Sequence, residues 1–222
     1  MGILDIIGPV MVGPSSSHTA GAVRIGLFAR RLLGCEPTEA RIGLHGSMAA
    51  TGEGHGTPLA LLAGLLGFAP DDERIPRADQ LARESGFAYH FEEEDLGEVH
   101  PNSVRIHLAS GLTELEVCAS SVGGGSISVW SIDGFSTRLD GEFPTLLFVY
   151  GDRPGSVAMV SAVLADAGLN IAAMKVHRTS RGGQALMAVQ LDEPPTVDVL
   201  ASLHALPHFE QVRFIPALGF GG

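Results

Sequence analysis

Downstream of residue 145, hydrophobic and polar positions alternate in blocks whose period switches between that of a strand and that of a helix. Thr145–Tyr150 is a short β-type run. Over Gly155–Ala167, Val157, Val160, Val163 and Leu164 recur at helical spacing, and Gly168 comes next as a C-terminal cap. Ile171–Thr179 and Gln184–Leu191 read as two strands joined by a hairpin turn at Arg181-Gly-Gly183. Pro194 and Pro195 precede a helix over Val197–Ala205, Pro207 ends it, and Phe209–Ile215 reads as a last strand. The order is βαββαβ, the ferredoxin-like arrangement.

The first 140 residues are less regular. Ile3–Val12 is apolar but punctuated by glycine. Ala20–Leu33 reads as an amphipathic helix with a basic face of Arg24, Arg30 and Arg31. Ala40–Leu44 looks like a strand, Thr57–Leu66 a buried helix and Arg77–Ser85 a polar helix. Ala88–Glu92, Ser103–Leu108, Leu112–Ala119 and Ser126–Ile132 look like strands. The turn-rich stretch Leu139-Asp-Gly-Glu-Phe-Pro144 separates these elements from the βαββαβ unit. The expectation is an α+β protein: an N-terminal mixed α/β domain over 1–140, then the βαββαβ unit over 145–222.

Composition narrows the function. In 222 residues, 14 Lys and Arg stand against 25 Asp and Glu, a net charge of −11, which disfavours nucleic acid as a partner. Mean hydropathy is +0.24, yet the longest mostly apolar stretch, Leu59–Ala69, is shorter than the roughly 18–20 residues of a membrane span. No basic segment leads into an apolar core at the start, so neither a membrane nor an export signal is expected. Cys35 and Cys118 lie in no metal-ligand spacing and read as reduced thiols of a cytoplasmic protein, with no metal site of the chain's own.

Three glycine- or serine-rich stretches could carry chemistry. In Gly13-Pro-Ser-Ser-Ser-His-Thr19, hydroxyls and a helix start suit a small anion, and His18 could hold charge or move a proton. The plain alternative is a helix N-cap with a solvated loop. In Gly52-Glu-Gly-His-Gly-Thr57, three glycines imply unusual backbone dihedrals, and His55 between two of them could serve as a general base or be merely exposed. In Ser120-Ser-Val-Gly-Gly-Gly-Ser126, the triple glycine could wrap an anion or form a wide bend between strands. His100-Pro-Asn102 reads as a turn with a satisfied histidine.

Taken in order, Ile6-Ile-Gly-Pro-Val-Met-Val-Gly-Pro-Ser-Ser-Ser-His-Thr-Ala-Gly21, Gly54-His-Gly-Thr57, His100-Pro-Asn102 and Gly123-Gly-Gly125 resemble the β subunits of two-chain iron–sulfur L-serine dehydratases over nearly the whole chain. The last unit resembles an ACT domain. The N-terminal domain of the family also resembles a regulatory domain of some phosphoglycerate dehydrogenases. The resemblance implies an enzyme that converts L-serine to pyruvate and ammonia, with a [4Fe–4S] cluster held by a partner α subunit. It implies His55 as the base and Ser15, Ser16, Ser17, His18, Thr19, Gly54, Gly56, Thr57, Gly123, Gly124 and Gly125 as substrate contacts. It further implies Asp152, Gly155 and Asn170 as an ACT ligand loop, and self-association through the ACT domain. Pro58 stands where the family usually has Asp, so another group must orient His55. Tyr150 and Asp152 stand where serine-binding ACT domains have His and Asn, so serine binding there is expected to be weak. A serine-sensing or scaffolding subunit without catalysis is the alternative reading.

Overall fold

The structure, a computed structural model, describes residues 11–13 and 15–219. Most of the apolar Ile3–Val12 segment lies outside these residues. The chain falls into two compact units, one of residues 1–134 and the other of 141–217, with the short stretch between them shared. Leu218 and Gly219 group with the first unit.

In the first unit, a π-helical turn at Ser16–Gly21 runs straight into α1 (Ala22–Leu33). Strand β1 (Glu39–Leu44) is followed by two single-turn helices, α2 (Ser47–Ala50) and α3 (Gly52–His55). Helix α4 (Thr57–Leu65) and α5 (Ala78–Glu84) come next. Five strands complete the unit: β2 (Ala88–Glu93), β3 (Ser103–Ser110), β4 (Thr113–Gly123), β5 (Ser126–Ile132) and β6 (Phe135–Leu139). They form one six-stranded sheet in the order β2-β1-β3-β4-β5-β6. Only β1 and β2 pair in parallel among the register pairs described, and helices α2 to α5 make that crossover.

Period-two alternation on the strands sends Ala40, Ile42, Val104, Ile106, Leu108, Leu115, Val117, Ala119 and Val129 into the core. Helix α1 covers them with Val23, Ile25, Phe28 and Leu32, each at most 1% exposed. Such side chains contribute roughly 1.5–3 kcal/mol apiece when fully buried. The expected basic face of α1 is corrected at Arg24, which is buried. Its guanidinium donates to the Gly219 carbonyl at 2.8 Å, so the end of the described chain covers that side of the helix.

Helices α1 and α4 meet backbone to backbone. A Cβ at Gly64 would lie 2.6 Å from the Leu27 nitrogen and 2.9 Å from the Gly26 Cα, closer than atoms can pack. Gly26 is equally closed by Leu65 and by Gly64 itself.

The second unit is β7 (Thr145–Gly151), α6 (Ser156–Asp166), β8 (Ile171–Arg178), β9 (Gln184–Leu191), α7 (Val197–His204) and β10 (Phe209–Ile215). Its sheet runs β10-β7-β9-β8 with every pairing antiparallel. Leu146, Phe148, Tyr150, Met187 and Val189 pack with Val160, Leu164 and Leu203. The βαββαβ order and the α+β class expected from the pattern are what the structure shows.

Because its Cβ would strike backbone rather than a flexible side chain, Gly64→Ala is expected to lower the unfolding free energy by about 1–3 kcal/mol. Urea denaturation measures this; an unchanged midpoint would mean that the two helices can separate freely.

Candidate functional site

The starts of α1 and α4 converge with the turns after β1. Ser15, with extended backbone, is the N-cap of the π-helical turn. Its hydroxyl accepts from the His18 amide at 3.1 Å and its carbonyl from the Thr19 amide at 2.9 Å. It therefore caps the helix, and its hydroxyl hydrogen is left to donate. The amides of Ser16 and Ser17 have no hydrogen-bond partner among the described residues, which leaves two donors at a helix start for an anion.

His18 is 9% exposed and held at both nitrogens. Nδ1 lies 3.2 Å from Thr57 Oγ1, and Nε2 lies 3.3 Å from Ser47 Oγ. Thr57, expected as a substrate contact, is fully buried, and its hydroxyl meets His18. The His55 ring stands 5.1 Å from that of His18, tilted by 39°. His55 is exposed, and among the described residues no hydrogen bond engages its ring. Its carbonyl accepts from Thr19 Oγ1 at 3.4 Å. Burial first, and then the neighbouring His55, push the His18 pKa below the usual 6.5. Two histidines of unlike environment therefore face each other.

The Gly52–Thr57 segment is not the irregular loop its composition suggests. Gly52–His55 is a helical turn, and only Gly56 takes positive φ, at +71°. That left-handed residue lets α3 and α4 join at an angle and turns His55 out while Thr57 turns in. Gly54, within α3, is exposed.

Ser47 was not singled out by the sequence. It begins α2 just after β1, and its amide donates to the Pro101 carbonyl at 2.8 Å. The His100-Pro-Asn102 turn is thereby tied to the site, and His100 Nδ1 accepts from the Asn102 amide at 3.1 Å, as a satisfied turn histidine does. Ser121 lies in the serine- and glycine-rich stretch singled out above but was not named among the contacts. It is fully buried, its hydroxyl has no hydrogen-bond partner among the described residues, and it fills the space a Cβ on Gly21 would need. The signal available for both was a small polar residue at a strand end, which is common in loops of every kind.

Gly123–Gly125 forms a tight hairpin instead of a wide bend. Gly123 pairs with Ser126, all three glycines have positive φ, and among the described residues no hydrogen bond joins them to His18 or His55. In the second unit, Asp152 follows β7 as an ion-paired carboxylate. Its carboxylate binds the Arg178 guanidinium at 3.0 Å and the Gly182 amide at 3.1 Å, and these contacts hold its pKa below the usual range. Asn170 Nδ2 donates to Asp192 at 2.6 Å, and Gly155 opens α6. The ACT ligand loop is thus engaged with its own fold. Cys35 is exposed, Cys118 is buried, and among the described residues no three potential metal ligands converge.

A sequence model of the serine dehydratase beta chain matches residues 3–130. The chain belongs to that family. An ACT domain model matches residues 145–208. The chain is 44% identical over 213 residues to the probable L-serine dehydratase beta chain of Bacillus subtilis, covering 96% of this chain and 97% of that one. It is 36% identical to the L-serine dehydratase beta chain of Peptoniphilus asaccharolyticus, covering 95% and 96%. It is also 25% identical over 118 residues to the D-3-phosphoglycerate dehydrogenase of Methanocaldococcus jannaschii, covering 53% of this chain and 22% of that one.

The depressed His18 pKa links folding to pH. The unfolded chain binds a proton near pH 6.5 that the folded chain resists, so His18 contributes stability above that pH and loses it as pH falls. Denaturation midpoints should therefore drop from pH 7 to pH 5, and His18→Gln should reduce that drop. Equal slopes in the two proteins would contradict the assignment.

Proposed function

We propose that this chain is the β subunit of an L-serine dehydratase and converts L-serine to pyruvate and ammonia together with an α subunit carrying a [4Fe–4S] cluster. Membership of the beta chain family and near full-length similarity to two beta chains support the reaction. The described residues here do not themselves fit such a cluster: one cysteine is exposed and the other buried. In this reading the cluster belongs to the partner, and this chain binds, orients and moves a proton.

The observation that carries the proposal is the unequal histidine pair at 5.1 Å. Elimination takes the α proton and the β hydroxyl from serine, and the enamine left behind is hydrolysed to pyruvate and ammonia. The base must reach the substrate and have a nitrogen free. His55 meets both requirements, being exposed with its ring unengaged among the described residues. His18 fails the second, since both of its nitrogens are engaged. With the Ser16 and Ser17 amides it forms a set of donors suited to the serine carboxylate. Cytoplasmic location and self-association through residues 145–222 complete the proposal; among the described residues no helix is long and apolar enough to cross a membrane.

A non-catalytic, serine-sensing chain is the second reading, favoured by the similarity to a dehydrogenase over half of this chain.

Co-purification with the α partner under anaerobic conditions, then a pyruvate assay, tests the proposal. This chain alone is expected to form no pyruvate. In the complex, His55→Ala should lower turnover by about 10²–10⁴-fold, the usual worth of a general base. His18→Ala should instead raise the half-saturating serine concentration. Near-normal turnover of the His55 variant would favour the sensing role.

A further inference from the structure

The hydroxyls around His18 have a direction. Thr57 is fully buried, so its hydroxyl hydrogen needs an acceptor inside the protein. The acceptor within reach is His18 Nδ1, at 3.2 Å. The reverse arrangement, with Nδ1 donating to Thr57, would leave the threonine hydrogen buried without a partner, which costs more than the bond returns. The other side of the ring obeys the same logic. Thr51 Oγ1 donates to the Ser47 carbonyl at 2.9 Å and so uses its single hydrogen. Between the Thr51 and Ser47 hydroxyls, 3.4 Å apart, Ser47 is then the donor. That leaves Ser47 Oγ to accept from His18 Nε2 at 3.3 Å.

Both sides of the ring agree. We propose that Thr57 is a positioning residue that fixes His18 as the neutral tautomer with its hydrogen on Nε2, and that Ser47 holds this hydrogen until a ligand carboxylate takes it over. His18 is then a hydrogen-bond donor toward the half-exposed Ser47 side of the site and cannot act as a base there. The displacement by a carboxylate rests on the function proposed above; the tautomer does not. Its depressed pKa keeps the ring neutral under the same conditions.

Nitrogen-15 spectra of the full chain, which report which imidazole nitrogen carries hydrogen, test the tautomer without any partner. The His18 signals are assigned by their loss in His18→Gln. Hydrogen on Nε2 is the expected result at pH 7 and above, and hydrogen on Nδ1 overturns the proposal. This spectrum decides the tautomer even if no Thr57 variant folds. Thr57→Val should move the Nδ1 resonance toward that of an unbonded imidazole nitrogen, and Thr57→Ser should restore it. In the complex with the α partner, Thr57→Val should raise half-saturating serine about tenfold, the worth of one hydrogen bond, with a smaller change in kcat. Thr57→Ser should return it to normal. A Thr57→Val chain whose Nδ1 resonance and half-saturating serine are both unchanged removes Thr57 as the positioning residue. An Nε2–H tautomer in a chain that forms no pyruvate with its partner would support this inference and sink the proposed reaction.

Discussion

The contact between α1 and α4 governs the first unit. Gly26 and Gly64 let two helix backbones touch, and nothing larger fits between them. The helix starts carry the chemistry: His18 precedes α1 by one π-helical turn, and His55 and Thr57 flank the left-handed residue that opens α4. Fixing the distance between the axes fixes the distance between the rings. The histidine pair is therefore a product of core packing as much as of loop sequence. Backbone contact of this kind has no soft mode, since interiors are packed as densely as organic crystals.

The same packing makes the two histidines unlike. One is pulled into the protein and surrounded by hydroxyls from separate elements, while the other is turned out by a single left-handed glycine. A buried imidazole resists protonation, and a nearby imidazole adds to that resistance. In the function proposed above, this division lets one neutral ring donate a hydrogen bond to an anion while the other keeps a nitrogen free to accept a proton.

Much of this was legible in the sequence. The second unit was readable nearly to the residue, because each of its elements is short, periodic and bounded by glycine or proline. The helix Thr57–Leu65 and strand Gln184–Leu191 show how far local pattern reaches when packing agrees with it. The first unit was harder. Arg24 reads as a surface charge by helical spacing, and its guanidinium is bound by a segment almost two hundred residues away. The two single-turn helices after β1 are too short for periodicity to reveal, and glycine content pointed the wrong way for α3. His18 and His55 stood out because their motifs are unusual. Ser47 and Ser121 did not, since a lone serine acquires meaning only from what folds around it. The orientation of the hydroxyl chain through Thr57 is likewise a property of burial and not of residue order.

The Arg24–Gly219 hydrogen bond ties the order of synthesis to the order of folding. Helix α1 leaves the ribosome well before the carbonyl that receives its guanidinium, which lies 195 residues further along. Until then this face of the helix lacks part of its cover, although every strand of its own sheet has been produced. The second unit is built in the interval, so the first unit closes only after the second has been made. A growing chain carries a partly open core throughout, which is the stage at which a nascent protein depends most on slow elongation or on chaperones.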